Sequence, residues 1–230
     1  MVADVCEQVA GGGANDWTLA AELARRPSCT YFVRNDPCYK SESASCPALA
    51  GENRLLSILE GGPCWIVNPS DVGVVLVALD AEIVVDGGFG SRVVPAGEFF
   101  VLPAERLDAE TVLKADERVA SVRLPALASR GLQIYDRRSD ASGLTVVSIA
   151  AAQRPDGDVR IVLGGVSPRP YRVYKSVEEE AASGGLDDET IEGLAERALL
   201  DSQPLSQNGF KVELAAALLR DAIGRIALNG

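Results

Sequence analysis

The chain contains no histidine. That absence removes Ser-His-Asp and Cys-His catalysis, His-ligated zinc, and imidazole acid–base chemistry near neutral pH. Any chemistry falls to carboxylates, thiolates, Lys or Tyr, or to a bound cofactor, which favours moving electrons or binding partners over hydrolysing a substrate. Positive charge is also scarce: 22 Lys and Arg stand against 33 Asp and Glu, a net charge of −11. Nucleic acid and anionic membrane surfaces are therefore poor partners. No apolar run approaches the roughly 18–20 residues that span a bilayer, so membrane insertion is not expected. The first residues, "MVADVCEQVAGGGANDW", show no basic segment followed by an apolar one, and no signal peptide is indicated. The expected compartment is the cytoplasm, where disulfides are disfavoured and grouped cysteines more often bind metal or do redox work.

In bulk the chain is ordinary: 230 residues, 47% apolar and 24% charged, enough to bury a sizeable core. The cysteines are not ordinary. Cys29, Cys38, Cys46 and Cys64 fall within 36 residues, separated by eight, seven and seventeen positions. A structural Cys₄ zinc site normally shows paired short C-x₂₋₄-C spacings, and this segment has none. Residues 1–70 are otherwise weakly periodic and rich in Gly, Asn, Pro and Ser, with one short helical run in "WTLAAELARR". A long irregular stretch inside a compact protein is uncommon unless something orders it. A cluster on four thiolates would supply that order; a structural zinc and unligated buried thiols are the alternatives.

The remainder divides into two stretches, giving domains over residues 1–125 and 126–230. "SDVGVVLVALDA" predicts a buried helix with Ser70 and Asp71 as candidate N-caps. "AEIVVDGGFGSRVVPAGEFF" predicts a hairpin, then a short helix and a strand. Gly87, Gly88 and Gly90 belong to its turn rather than to a phosphate cradle, because no helix start follows directly. Beyond residue 126, "GLQIYDRR", "LTVVSIAAAQR" and "DVRIVLGGV" predict a three-stranded antiparallel sheet. Asp187 opens a helix striped by Ile191, Leu194, Ala195, Ala198 and Leu199. A last helix carries Val212, Ala215, Leu218, Leu219, Ile223 and Ile226. Both stripes are expected on one face of the sheet, an α+β arrangement.

The blocks "CWIVNPSDVGVVLVALDAEIVVDG", "EFFVLP", "ERVASVRLP", "GGVSPRPYR" and "QPLSQNGFKVELAAALLRDAI" stand in the order found in one known family. From about residue 16 to residue 228 the chain resembles the medium, flavin-binding subunit of molybdenum hydroxylases, the xanthine dehydrogenase and carbon monoxide dehydrogenase family. "RPSCTYFVRNDPCYKSESASC" with "GENR" and "GGPC" is similar to the branch carrying an extra [4Fe-4S] cluster. The resemblance implies that Cys29, Cys38, Cys46 and Cys64 each supply one thiolate, and that Cys6 does not. It also implies the remnant of a second FAD-binding subdomain with a Cys-rich cluster loop over 1–125. A domain like the CO dehydrogenase flavoprotein C-terminal domain follows over 126–230.

Several departures count against FAD on this chain. The family's first subdomain, with its "AGGT"-like pyrophosphate loop, is expected to be missing. "VAGGGAND" at residues 9–16 reads as an N-terminal stretch rather than that loop. A Gly-Gly-Asn-like turn is replaced by Ala20, Ala21 and Glu22, and a family lysine aligns with Gln133. The implied function is an electron-transfer subunit working with a molybdopterin-containing large subunit and a [2Fe-2S] small subunit, with no catalytic residue of its own. A non-redox assembly subunit, or a flavoprotein subunit completed by another chain, are the alternatives. Tyr31, Phe32 and Tyr39 are expected to shield the thiols; Arg26, Arg34 and Arg54 either offset cluster charge or solvate the loop. Asn208 and Lys211 are expected to help start the final helix, and Arg169 and Arg172 to pair with acids across an interface.

Overall fold

Ser70 closes the first turn of a helix packed between the second sheet and the N-terminal elements. Its hydroxyl accepts the Gly73 N–H at 3.0 Å, and all eight residues of that helix are buried. The computed structural model describes residues 1–10, 18–41, 43, 45–126 and 131–229. Before this helix lie α1 (Val2–Ala10), α2 (Leu19–Leu23), α3 (Thr30–Val33) and two 3₁₀ turns, Tyr39–Ser41 and Pro47–Leu49. The buried helix is α4 (Asp71–Ala78). After it come β1 (Glu82–Gly87), β2 (Gly90–Pro95), α5 (Ala96–Phe99) and β3 (Arg118–Arg123). The remainder is β4 (Leu132–Ser139), β5 (Thr145–Gln153), β6 (Val159–Gly164), β7 (Tyr171–Arg172), α6 (Lys175–Ala181), α7 (Asp188–Ala198) and α8 (Phe210–Asn229). The result is an α+β fold with two antiparallel sheets.

The first sheet has the order β2-β1-β3, with Val84 opposite both Val93 and Ser121. The second has the order β4-β5-β6-β7. It holds four strands rather than three, because Tyr171 and Arg172 pair with Leu163 and Val162 at its edge. Two residues flanked by proline leave no alternation to read in the sequence. Helices α1 and α6 also lie outside the sequence expectations. The segment "VAGGGAND" runs from the end of α1 into residues 11–16, which lie outside the described residues.

Strand β5 is buried along nearly its whole length because both its faces are covered. Val147, Ile149 and Ala151 face the core under α7 and α8. Ala150 and Ala152 join the core built around α4. The stripes predicted for α7 and α8 therefore do cover one face, and Asp187 caps α7 through Thr190 N–H at 2.8 Å. Small side chains on the opposite face let α4 approach closely. Gly164 is the tightest point: a Cβ there would lie 2.6 Å from Val74 Cγ2 and 2.4 Å from Ser148 Oγ.

Replacing Gly164 with Ala is therefore expected to lower stability by about 1–3 kcal/mol through overpacking. Gly97→Ala, where an added carbon meets nothing within 4 Å, should stay within about 0.5 kcal/mol. Urea unfolding of the two variants checks the contrast.

Candidate functional site

The chain from Arg26 to Cys64 has few apolar contacts of its own and is held in place by hydrogen bonds to distant residues. Asn53 is the first hub. Its amide donates to Ala48 O at 3.0 Å and Ser206 Oγ at 3.0 Å, and its Oδ1 accepts Gln207 N–H at 2.9 Å. Asn208 is the second, donating to Leu56 O and Ser57 O, both at 3.1 Å, while accepting Leu205 N–H. Lys211 is the third and is 1% exposed. Its ammonium donates to Leu55 O and Leu56 O at 3.0 Å and to Gly165 O at 2.5 Å, so each of its three N–H donors has a carbonyl. Burial pushes Lys211 from the ordinary 10.5 down to about 7. Asn208 and Lys211 do begin α8, through the Lys211 N–H to Asn208 O bond. Their larger role is to fasten the cysteine segment to the second sheet.

Downstream, Ile58 and Leu59 N–H both donate to Val166 O, and Ser57 N–H donates to Trp65 O, folding the chain back on itself. Glu60 receives Arg169 in a two-pronged ion pair at 2.5 and 3.0 Å. Arg172 likewise grips Glu178. These two arginines, expected to pair across an interface, pair within the chain instead. The turn that Arg169 supports through Glu60 contains Gly61, where a Cβ would strike the Trp65 ring at 2.2 Å, and leads directly into Cys64.

The outcome is a small cavity whose wall contains all four cysteines, Cys29, Cys38, Cys46 and Cys64. All four are free thiols, and Cys38 and Cys64 are buried. Cys29 and Cys46 each precede a helical turn, α3 and the Pro47–Leu49 turn. Cys38 is wrapped by Ser41, whose hydroxyl accepts the Cys38 N–H at 2.8 Å and lies 3.7 Å from its sulfur. Burial pushes the Cys64 thiol up to about 11, opposed by an N–H from Ile66 and the positive charge of Lys40. Among the described residues no three His, Cys, Asp or Glu side chains stand close enough to share a single metal ion. The thiols ring a cavity rather than meet at a point. Cys6 lies elsewhere, packed against the core around α4, its thiol raised by burial and by Glu22.

Tyr31, Phe32, Tyr39 and Trp65 line the same cavity, as the shielding expectation required of the first three. Of the arginines, Arg26 and Arg34 are exposed, as solvating the loop requires. Arg26 lies 5.0 Å over the Phe32 ring, Arg34 5.4 Å over Tyr31, and Arg54 4.4 Å over Phe210. The cation in the cavity wall is Lys40, unanticipated from sequence, and it is fixed by Glu110 at 2.6 Å. Nothing local marks either residue, since 70 positions separate them.

Beside the cavity, an open cleft of about 210 Å³ runs along the N-terminus of α4 between Arg25, Asn68, Asp71, Arg137 and Thr145. Arg25 pairs with Glu22 at 3.3 Å and Arg137 stands 3.8 Å from Asp71. Asp71 also accepts Thr145 at 2.6 Å and Ser148 at 2.8 Å. Two acids thus offset two guanidiniums, and the cleft offers no surplus positive charge to a pyrophosphate. Ala20, Ala21 and Glu22 occupy α2, capped by Thr18, rather than a glycine turn. Gln133 lies in β4 opposite Ala152.

This arrangement of two antiparallel sheets about a buried helix recurs in solved structures. The chain superposes on a chain of carbon monoxide dehydrogenase from Hydrogenophaga pseudoflava lacking the Mo-pyranopterin moiety with a TM-score of 0.55 at 23% identity, over 66% of this chain and 54% of that one. Quinoline 2-oxidoreductase from Pseudomonas putida 86 gives 0.55 at 22% identity, over 76% and 59%. In sequence, the chain is 31% identical over 215 residues to the aldehyde oxidoreductase FAD-binding subunit PaoB of Escherichia coli K12, covering 91% of this chain and 65% of that protein. It is 28% identical over 176 residues to the glyceraldehyde dehydrogenase medium chain of Sulfolobus acidocaldarius, covering 73% and 60%. The chain is homologous to these subunits and spans 65% and 60% of their lengths. No family model matches it. Among the described residues no helix is long and apolar enough to cross a membrane.

Lys211 gives a pH prediction. With its native value near 7 and its unfolded value near 10.5, the unfolded chain binds the extra proton between those limits. This group's contribution therefore makes stability rise as pH increases from 7 towards 10. Lys211→Met is expected to flatten that rise. It should also cost roughly 1–3 kcal/mol, through carbonyls left without a donor. Denaturant midpoints measured across the range test both effects.

Proposed function

We propose that this chain is the electron-transfer subunit of a multi-subunit oxidoreductase of the molybdenum hydroxylase type, carrying one [4Fe-4S] cluster on Cys29, Cys38, Cys46 and Cys64. The observation that carries the reading is that all four cysteines line one aromatic-walled cavity. Soft anionic sulfur is the donor set that iron–sulfur clusters take, and burial with N–H···S bonds then tunes their potential. The long spacings between the four cysteines, without a paired C-x₂₋₄-C, suit a cluster better than a structural zinc. When bound, the cluster supplies one-electron transfer. The chain itself binds it, excludes water with Tyr31, Phe32, Tyr39 and Trp65, and leaves substrate chemistry to its partners. Those partners are a molybdopterin-containing large subunit and a [2Fe-2S] small subunit.

FAD has no place in this reading for the isolated chain. The charge balance around Glu22, Arg25, Asp71 and Arg137 does not fit a pyrophosphate, and no step is assigned to a flavin here. The domain division at residues 125 and 126 belongs to the same reading, with the cluster in the first part.

The protein as isolated should be brown, with about four irons and four labile sulfides per chain. Cys29→Ser, Cys38→Ser, Cys46→Ser and Cys64→Ser should each lower the iron content, while Cys6→Ser leaves it unchanged. Zinc without iron, a colourless protein, or a yellow one releasing about one FAD per chain would each overturn the reading. Stripping the iron should speed amide hydrogen exchange across residues 26–50. Residues 53–59 should stay slow, because their partners lie in α8 and beside Val166 rather than on the metal.

A further inference from the structure

We propose that Lys40 is the positioning cation of the four-cysteine site, its ammonium locked on Glu110 so that it sets the reduction potential of the group the thiolates hold. The proposal rests on the reading of those thiols as ligands of one cluster. Among the described residues that line the cavity, Lys40 is the only one with a charged side chain. Its side chain is 1% exposed, and it gives hydrogen bonds to Glu110 Oε1 at 2.6 Å and Leu107 O at 2.8 Å. A buried ammonium costs several kcal/mol unless paired, so this geometry is strongly held once formed. Arg26 takes the other oxygen of Glu110 at 3.1 Å but is half exposed. The three groups carry one net positive charge, and the member at the cavity wall is the one shielded from water.

That placement decides which charge the site feels. Interactions of exposed guanidiniums are weakened by water and salt, whereas those of a buried charge are weakened much less. Arg34 pairs with Asp36 in solvent, and Arg54 lies over Phe210 outside the cavity. Lys40 shares the cavity wall with Cys29, Cys38, Cys46 and Cys64. Adding an electron makes a thiolate-bound group more negative. A fixed positive charge beside it therefore favours the reduced form, and Glu110 partly offsets that effect while holding the ammonium in place. Were the pair only a staple between the 26–40 and 105–111 segments, loss of either partner would weaken the fold and leave the potential alone.

The two roles separate by sign. The full chain, purified with its associated subunits, is assayed for iron and labile sulfide. It is then titrated with dithionite as reductant and followed by electron paramagnetic resonance. Lys40→Met should shift the midpoint to more negative potential, Glu110→Gln to more positive, and Lys40→Arg should stay near wild type. Wild-type protein without iron would defeat the cluster reading and this proposal with it. A full iron complement with midpoints unmoved in both variants would overturn the role of Lys40 and leave the cluster reading standing. Should Lys40→Met lose its iron, Glu110→Gln decides: a raised midpoint sustains the proposal, and an unchanged or lowered one overturns it. Loss of iron from both variants would make the pair a staple and overturn the proposal.

Discussion

A single buried ammonium organises the part of the molecule that periodicity does not. Lys211 sits at the start of α8 with its charge inside the protein, satisfied by carbonyls from the cysteine segment and from the turn after β6. Taking that charge out of water is costly, and the cost is met only when all three carbonyls are in position. The arrangement is therefore close to all-or-none. It fixes the backbone at Leu55 and Leu56, delivers Ile58 and Leu59 into the core beneath α7 and α8, and leaves Leu56 in the cavity wall. From there Trp65 and Cys64 are placed by the return of the chain to Ser57. The thiol cavity is an indirect product of the C-terminal helix.

The electrostatics follow one logic. An acidic chain with few cations uses them in matched pairs: Arg169 with Glu60, Arg172 with Glu178, Arg92 with Glu117, Arg25 with Glu22. The pairing leaves the cleft by α4 electrically balanced. The thiol cavity differs in having, among the described residues of its wall, one cation and no acid. A site built to accept negative charge needs that asymmetry, and a site built to grip a phosphate would need more of it.

What the sequence discloses is what repeats or caps locally. Ser70 and Asp187 announced α4 and α7 because a capping side chain reaches only three residues along the chain. The hairpin of β1 and β2 and the strands β4 to β6 were legible from apolar runs broken by turn residues. Strand β7 and helix α6 were not, since two paired residues and one short acidic helix carry no periodic signal. At the candidate site the ligand residues were legible by count alone. Their surroundings were not: Lys40 meets Glu110 across 70 positions and Asn53 meets Gln207 across 154, and polar pairs at such range leave no local trace. The arginines illustrate the reverse error. Arg169 and Arg172 carried charges that suggested a partner surface, yet their acids lay in the same chain.

The distance along the chain between Leu55 and Lys211, 156 residues, also has a meaning in time. A ribosome adding about 5–20 residues each second needs roughly 8–30 s to cover that interval. For much of it, the four thiols have left the exit tunnel while the lysine that fixes the Leu55–Leu56 backbone has not yet been made. The cavity cannot close around anything during that period. Filling it is an event in the life of the finished chain, and the nascent segment spends its first seconds as an open, reactive run of cysteines.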